Sequence, residues 1–333
     1  MENPVLVEVT RGGEVESRHR GAVSVVDADG ASVLSLGDVE CRVFPRSTVK
    51  ALQALPLLES GIADRYGLTD AEIALACSSH NGEPEHVAAA ASMLAKVGRD
   101  HTCLECGAHW PLGEKAARDL AAAHVQPSAL HNNCSGKHAG FVCLACGMDE
   151  DPAGYVLPDH PVQKAIRASL EDLTGASHIP EHRGIDGCSI PTYAIPLPAL
   201  AFGFAKFGVG AGMSRSCAEA SKRIRKAVAA HPFMVAGTDH FDTKIMEVLR
   251  ERAFVKGGAE GVYCAALPEV GLGIALKCDD GHARAAKVMM AALVLRFLKL
   301  DDQDRSAVEA LARPTLKNWN GIEVGRLRPA GPL

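Results

Sequence analysis

Val23-Ser24-Val25-Val26-Asp27-Ala28-Asp29-Gly30-Ala31-Ser32-Val33-Leu34-Ser35-Leu36 holds two apolar, β-branched runs joined by a polar stretch that ends in Asp-Gly. β-Branched side chains suit a pleated surface and Asp-Gly accepts the positive φ of a tight turn, so the stretch predicts a β-hairpin. The chain therefore starts with sheet. Strand character returns in Ala253 to Lys256, Gly261 to Leu267 and Gly271 to Lys277, and a long apolar-faced helix is predicted from Ala283 to Leu300. Between these ends, apolar residues recur at three- and four-residue spacing from Thr48 to about Glu59 and again after Pro84, Pro111 and Pro161. The prolines stand at first helical positions, while Pro56, inside a segment, predicts a kink or an early stop.

Two early and three late strands around a helical middle predict an α/β (α+β) fold. Its antiparallel sheet is built from both chain ends and covered by the C-terminal helix, with a central helical region. Residues 1–45 and 250–333 form the expected sheet domain and 46–249 the helical insert carrying most site residues, together one structural unit.

At 333 residues and 47% hydrophobic, the chain is long and apolar enough for a large core, which excludes overall disorder. Forty acidic against thirty-five basic residues leave no basic excess for nucleic acid or an anionic membrane, which makes a small molecule the expected partner. No apolar run approaches the length of a membrane span, and no secretory leader is evident at the N-terminus. Eleven cysteines, an odd number, suggest reduced thiols and a cytoplasmic protein.

Arg46-Ser47-Thr48-Val49-Lys50 opens the first central helix and brings a hydroxyl and an amine onto one face. A neutral lysine can accept a serine proton while N–H groups at a helix start receive a developing oxyanion. About one Ser-x-x-Lys is expected by chance in such a chain. Two further elements follow in the order used by serine acyl-transfer enzymes, Ser79-His80-Asn81 and Lys256-Gly257-Gly258. The glycines permit close backbone approach of a substrate, and the N–H of Ala259 is the candidate partner of that of Ser47 in an oxyanion hole.

Asn132-Asn133-Cys134-Ser135-Gly136-Lys137-His138 is small and polar and leads into an apolar helix, so it is a candidate site lining. It is not a phosphate loop, because His131 stands where that loop requires Gly and His138 where it requires Ser or Thr. A second polar-flanked thiol occurs in Asp186-Gly187-Cys188. Spacing alone leaves open a thiolate pair holding zinc and a pair of reduced core cysteines.

The sequence resembles the asparaginases of the Rhizobium etli type, amidohydrolases with a fold similar to serine β-lactamases and penicillin-binding proteins. The resemblance rests on residues 46–50, Ala76-Cys77-Ser78-Ser79-His80, Cys106-Gly107-Ala108-His109, Asn133 to His138, Leu157-Pro158-Asp159-His160-Pro161 and Asp186 to Thr192. It implies two Ser/Lys pairs, Ser47 with Lys50 and Ser79 with Lys256, and a zinc ion held by Cys134, Lys137 and Cys188. It also implies hydrolysis of L-asparagine to L-aspartate and ammonia through a serine acyl-enzyme. Arg46 and Asp186 are the candidate partners of the substrate's carboxylate and ammonium, Asn133, His138 and Ala259 further binding groups, and a homodimer is expected. A β-lactamase-like amidase or esterase and a non-enzymatic zinc-binding protein are the alternatives.

Overall fold

The computed structural model describes residues 2–333. By its contacts the chain divides into two compact units. The first comprises residues up to Thr48, Ile195–Ala211 and Ile245–Leu333; the second comprises Val49–Ala194 and Gly212–Lys244. In chain order the strands are β1 (Val5–Arg11), β2 (Glu14–Asp27) and β3 (Ser32–Leu36), then β4 (Arg183–Ile185) and β5 (Pro191–Tyr193) in the second unit. β6 (Phe254–Gly257), β7 (Val262–Leu267), β8 (Leu272–Cys278), β9 (Thr315–Lys317) and β10 (Glu323–Pro329) follow in the first.

The first unit is built on one antiparallel sheet in the order β6-β7-β8-β2-β1-β10-β9, with β3 also paired to β2. The hairpin read from residues 23–36 is present, with Val26 opposite Ser32. Its turn is closed by Asp27 Oδ1, which accepts from the backbone N–H of Asp29 at 3.0 Å and of Ala31 at 2.8 Å. The three late strands also stand where the sequence put them. β1, β9 and β10 were not anticipated, because their apolar residues are interrupted by Glu8, Arg11, Lys317, Arg326 and Arg328 rather than gathered into runs. Three strands therefore lie early, not two.

Every residue of β7 is buried, so both of its faces are covered. Helices Leu197–Val209 and Ala283–Phe297 both pack on it and on β8. The first of these was expected inside the helical insert, but its apolar length (Leu197, Leu200, Phe204, Phe207, all fully buried) belongs against the sheet. Gly273 on β8 makes the approach possible, since a Cβ there would fall 1.9 Å from the Ala201 carbonyl oxygen.

At the other end of the sheet, His19 Nδ1 meets Asp280 Oδ2 at 2.5 Å and Cys278 Sγ lies 3.0 Å from Asp280 Oδ1. The donor atoms of these three lie within 4.8 Å of one another, as metal ligands would. Arg284 Nε donates to His19 Nε2 at 3.1 Å, however, which places the imidazole proton on Nδ1, where it serves Asp280. The group is a closed hydrogen-bonded tie between β2 and the end of β8.

The second unit is helical. The segment expected to run from Thr48 to Glu59 is broken: a single 3-10 turn, Arg46–Val49, precedes Lys50–Gln53, and a separate helix, Leu55–Glu59, starts at the turn containing Pro56. Proline lacks the N–H that would continue the first helix. Helix Asp70–Ala76 starts on a capping box in which Thr69 Oγ1 accepts from the Glu72 N–H and Glu72 accepts from the Thr69 N–H. Helix Ser135–Gly147 is buried from Ser135 through Ala145. Gly136 lets it meet the end of Asp70–Ala76, because a Cβ there would come within 2.4 Å of the Leu75 side chain and carbonyl.

Candidate functional site

The turn before helix Ser135–Gly147 is fixed by side chains. Asn132 Oδ1 accepts from the Cys134 N–H at 2.8 Å, and its amide donates to the Cys106 carbonyl at 2.8 Å. The His80 N–H donates to the Asn133 carbonyl at 3.1 Å. The His80 ring, fully buried, accepts from the Gly82 N–H on Nδ1, which leaves Nε2–H to donate to Ser135 Oγ at 2.9 Å. Burial and the charges of His86 and Lys50 hold His80 well below the usual histidine range, so it is a neutral brace. Its ring stacks on His86, which stacks on Phe233.

This frame carries Cys134 and Lys137 to two partners. Lys50, 1% exposed, directs Nζ to the Ser79 hydroxyl at 2.8 Å, the Cys134 sulfur at 3.1 Å and the Ser78 carbonyl at 2.5 Å. Lys137 Nζ donates to Cys188 Sγ at 2.9 Å. Cys188 arrives on the turn between β4 and β5, which is closed by Asp186 N–H to the Ile190 carbonyl at 2.8 Å. Asp186 lies at the start of the same turn, half-buried.

The two sulfurs do not titrate alike. A hydrogen bond from Cys188 outweighs the cost of burial, and with Lys50 and Lys137 it holds the Cys134 thiol well below the usual range. The same bond, together with burial, pushes Cys188 up. The two sulfurs thus share a hydrogen bond beside two lysine ammoniums, an arrangement that favours one negative charge on the pair. Burial pulls the Lys137 ammonium down, but Cys134, Cys188 and Asp186 more than offset this. Two soft sulfurs and one amine, brought together by the start of helix Ser135–Gly147 and the β4–β5 turn, form a donor set that fits zinc once the amine and the thiol give up their protons.

Asn133, His138 and Asp186 also lie in the second unit, and Arg46, Ser47, Lys256 and Ala259 in the first. Ser47 sits in the 3-10 turn Arg46–Val49, which begins at Arg46 with φ 52° and is tied by Thr48 Oγ1 to the Pro45 carbonyl at 2.7 Å. Lys256, on β6, is 1% exposed and donates to the Gly257 carbonyl at 2.9 Å. The segment after it rests on the serine's turn: a Cβ at Gly258 would lie 3.0 Å from the Pro45 carbonyl oxygen and 3.4 Å from the Arg46 Cβ. Ala259 follows directly. The structure thus brings Lys50, Ser79, Cys134, Lys137 and Cys188 together in the helical unit. It places Lys256 to Ala259 beside Arg46 and Ser47 in the sheet unit.

His80 and Tyr155 were not singled out from the sequence as structural members of the site. His80 lay within a quoted motif, but nothing marks an isolated tyrosine such as Tyr155. Its hydroxyl lies 2.6 Å from Nδ1 of His138, which burial and the charges of Lys137 and Lys50 hold well below the usual range.

A buried amine held against a serine hydroxyl is a pairing that acyl-transfer chemistry can use. The L-asparaginase II family matches it over residues 7–329, and the chain belongs to that family. Its activity is the hydrolysis of L-asparagine to L-aspartate and ammonia. No curated protein sequence matches the chain. Among solved structures it is similar to a β-lactamase from Mycobacterium bovis, with 11% identity, coverage of 83% of this chain and 94% of that one, and TM-score 0.41. It is also similar to a candidate β-lactamase from Bacteroides dorei, with 13% identity, coverage of 78% and 84%, and TM-score 0.39. Among the described residues no helix is long and apolar enough to cross a membrane.

Proposed function

We propose that this asparaginase works through a serine acyl-enzyme in which Ser47 attacks the side-chain amide carbon of L-asparagine. Lys50, three residues on, takes the serine proton when neutral, and the N–H groups of Ser47 and Ala259 hold the oxyanion. Ser79 passes a proton to the departing ammonia, and water then releases aspartate. The observation that carries this reading is the 2.8 Å contact of Lys50 Nζ with Ser79 Oγ, a ready path between base and leaving group. Lys256 assists from β6, and Arg46, Asn133, His138 and Asp186 bind the substrate's charged and polar groups. The contact also favours a second reading, in which Ser79 is itself the nucleophile. Denaturing mass spectrometry of enzyme quenched during turnover separates the two. An aspartyl adduct mapped to the peptide containing Ser47 supports the first reading, and one mapped to Ser79 replaces it.

Cys134, Lys137 and Cys188 are the residues proposed to hold zinc, which when bound supplies a positive charge beside the substrate. Helix Ser135–Gly147 and the β4–β5 turn hold those donors in place, and Asn132 keeps the Cys134 backbone oriented toward them. Among the described residues none of the eleven cysteines forms a disulfide, which fits the cytoplasm.

A further inference from the structure

His138 has one imidazole nitrogen with a partner and one without. Its ring is fully buried on helix Ser135–Gly147, and among the described residues Nε2 meets no hydrogen-bonding atom. Nδ1 lies 2.6 Å from the hydroxyl of Tyr155, itself fully buried. That hydroxyl accepts the backbone N–H of Glu105 at 2.9 Å. The phenol proton therefore points to Nδ1, and the neutral ring carries its proton on Nε2. The opposite tautomer would leave two buried groups unsatisfied, the phenol proton and the Nε2 lone pair; this one leaves a single N–H.

Tyr155 is itself well held. Gln163 donates to its carbonyl at 2.9 Å, Glu105 Oε1 accepts from the Gly154 N–H at 2.7 Å, and its ring stands edge-on to His138 and Phe141. Such bracing keeps a hydroxyl in one orientation.

We propose that Tyr155 is a positioning residue for asparagine hydrolysis: relayed from the Glu105 N–H, its hydroxyl locks His138 as an Nε2–H donor to a carboxylate oxygen of substrate and product. The inference rests on the asparaginase reading of this site. A hydrogen bond made equally in the bound ground state and the transition state appears in KM rather than in kcat.

The experiment uses the full chain labelled with 15N-histidine, with the His138 signals assigned by their loss in His138→Asn. In the wild type, Nε2 should carry the proton and Nδ1 should be bare, and saturating L-aspartate should shift the Nε2–H resonance. In Tyr155→Phe the two tautomers should mix, while KM for asparagine rises about tenfold and kcat stays within about threefold. A protonated Nδ1 in the wild type overturns the proposal, as does an Nε2–H signal unmoved by aspartate, which would assign that proton to a water or a void. An unchanged KM in a folded Tyr155→Phe overturns it too. Where that variant does not fold, the two wild-type measurements decide. A wild type that releases no ammonia from asparagine defeats the asparaginase reading instead, and the tautomer remains readable without turnover.

Discussion

Lys50 Nζ touches both Ser79 Oγ, at 2.8 Å, and Cys134 Sγ, at 3.1 Å, so one buried amine joins the hydroxyl chemistry to the sulfur cluster. Lys50→Met should remove both contacts with little change in side-chain length. The expected loss is at least about a thousandfold in kcat, as for a nucleophile's base, with the far-ultraviolet circular dichroism retained. Ser47→Ala should cost at least as much and Ser79→Ala about a hundredfold. Steady-state ammonia release measures all three. A Ser47→Ala enzyme with more than about a tenth of wild-type kcat would remove Ser47 from the role of nucleophile.

The sulfur cluster leads to a separate expectation about metal. Protein purified without chelator should contain close to one zinc per chain, and Cys188→Ser should lose most of it, since a serine oxygen is a poor replacement for a soft donor. Elemental analysis of both proteins checks this. Zinc-free wild type with full activity would confine Cys134 and Cys188 to a structural role and leave the Ser/Lys chemistry untouched.

Glu72 gives the helical unit an acid-sensitive anchor. Burial alone would raise its carboxyl, but hydrogen bonds from Lys96 at 2.5 Å, Thr69 and Ser92 prevail and hold it below the usual value. A carboxylate depressed on folding adds stability that is fully present above the unfolded value and is lost as pH falls through the folded one. Glu72→Gln should therefore be less stable than wild type by about 1–3 kcal/mol at neutral pH. The gap should begin to narrow as pH falls below the ordinary glutamate value of about 4.3 and close below the lower folded one, where both chains carry a neutral side chain. Urea unfolding at a series of pH values measures it; a gap independent of pH would reduce Glu72 to its cap.

How far the sequence reached follows from what each feature requires. The β2–β3 hairpin needed only its two apolar runs and Asp29-Gly30, all local signals. The Ser-x-x-Lys spacing and the small polar segment 132–138 are local patterns as well, whereas the contact of Lys50 with Ser79, 29 residues on, leaves no such pattern. Residues 197–209 fell within the expected helical insert, but the helix Leu197–Val209 belongs to the sheet unit, because its place depends on the absent side chain of Gly273, far along the chain. The meeting of Cys134 with Cys188 depends on the β4–β5 turn, and the role of Tyr155 on a backbone N–H of Glu105, neither of which leaves a pattern in the sequence.

Gly136 and Gly140 lie one turn apart on the helix that carries Lys137 and His138, yet alanine should act on them in opposite directions. At Gly140 an added Cβ would stand 3.4 Å from the Ala76 Cβ and 3.5 Å from Leu57, ordinary contacts that fill space. Replacing glycine by alanine in a helix interior gains about 0.5–1 kcal/mol, so Gly140→Ala should unfold at slightly higher urea and keep its activity. At Gly136 the Cβ would fall 2.4 Å from both the Leu75 side chain and its carbonyl oxygen. Leu75 is fully buried and the carbonyl belongs to the backbone of helix Asp70–Ala76, so relief must come from moving one helix start or the other. That shift displaces the residues on either side of Gly136, Cys134 and Lys137 included, relative to Ser79 on the chain leaving Asp70–Ala76. Misplacing reacting groups by about 1 Å costs roughly a hundredfold in rate. Gly136→Ala should accordingly lose about that factor in kcat, with a fall in stability of about 1–3 kcal/mol, while still folding. Equal effects at the two glycines would show that close contact between these helices is not what sets the geometry around Lys50.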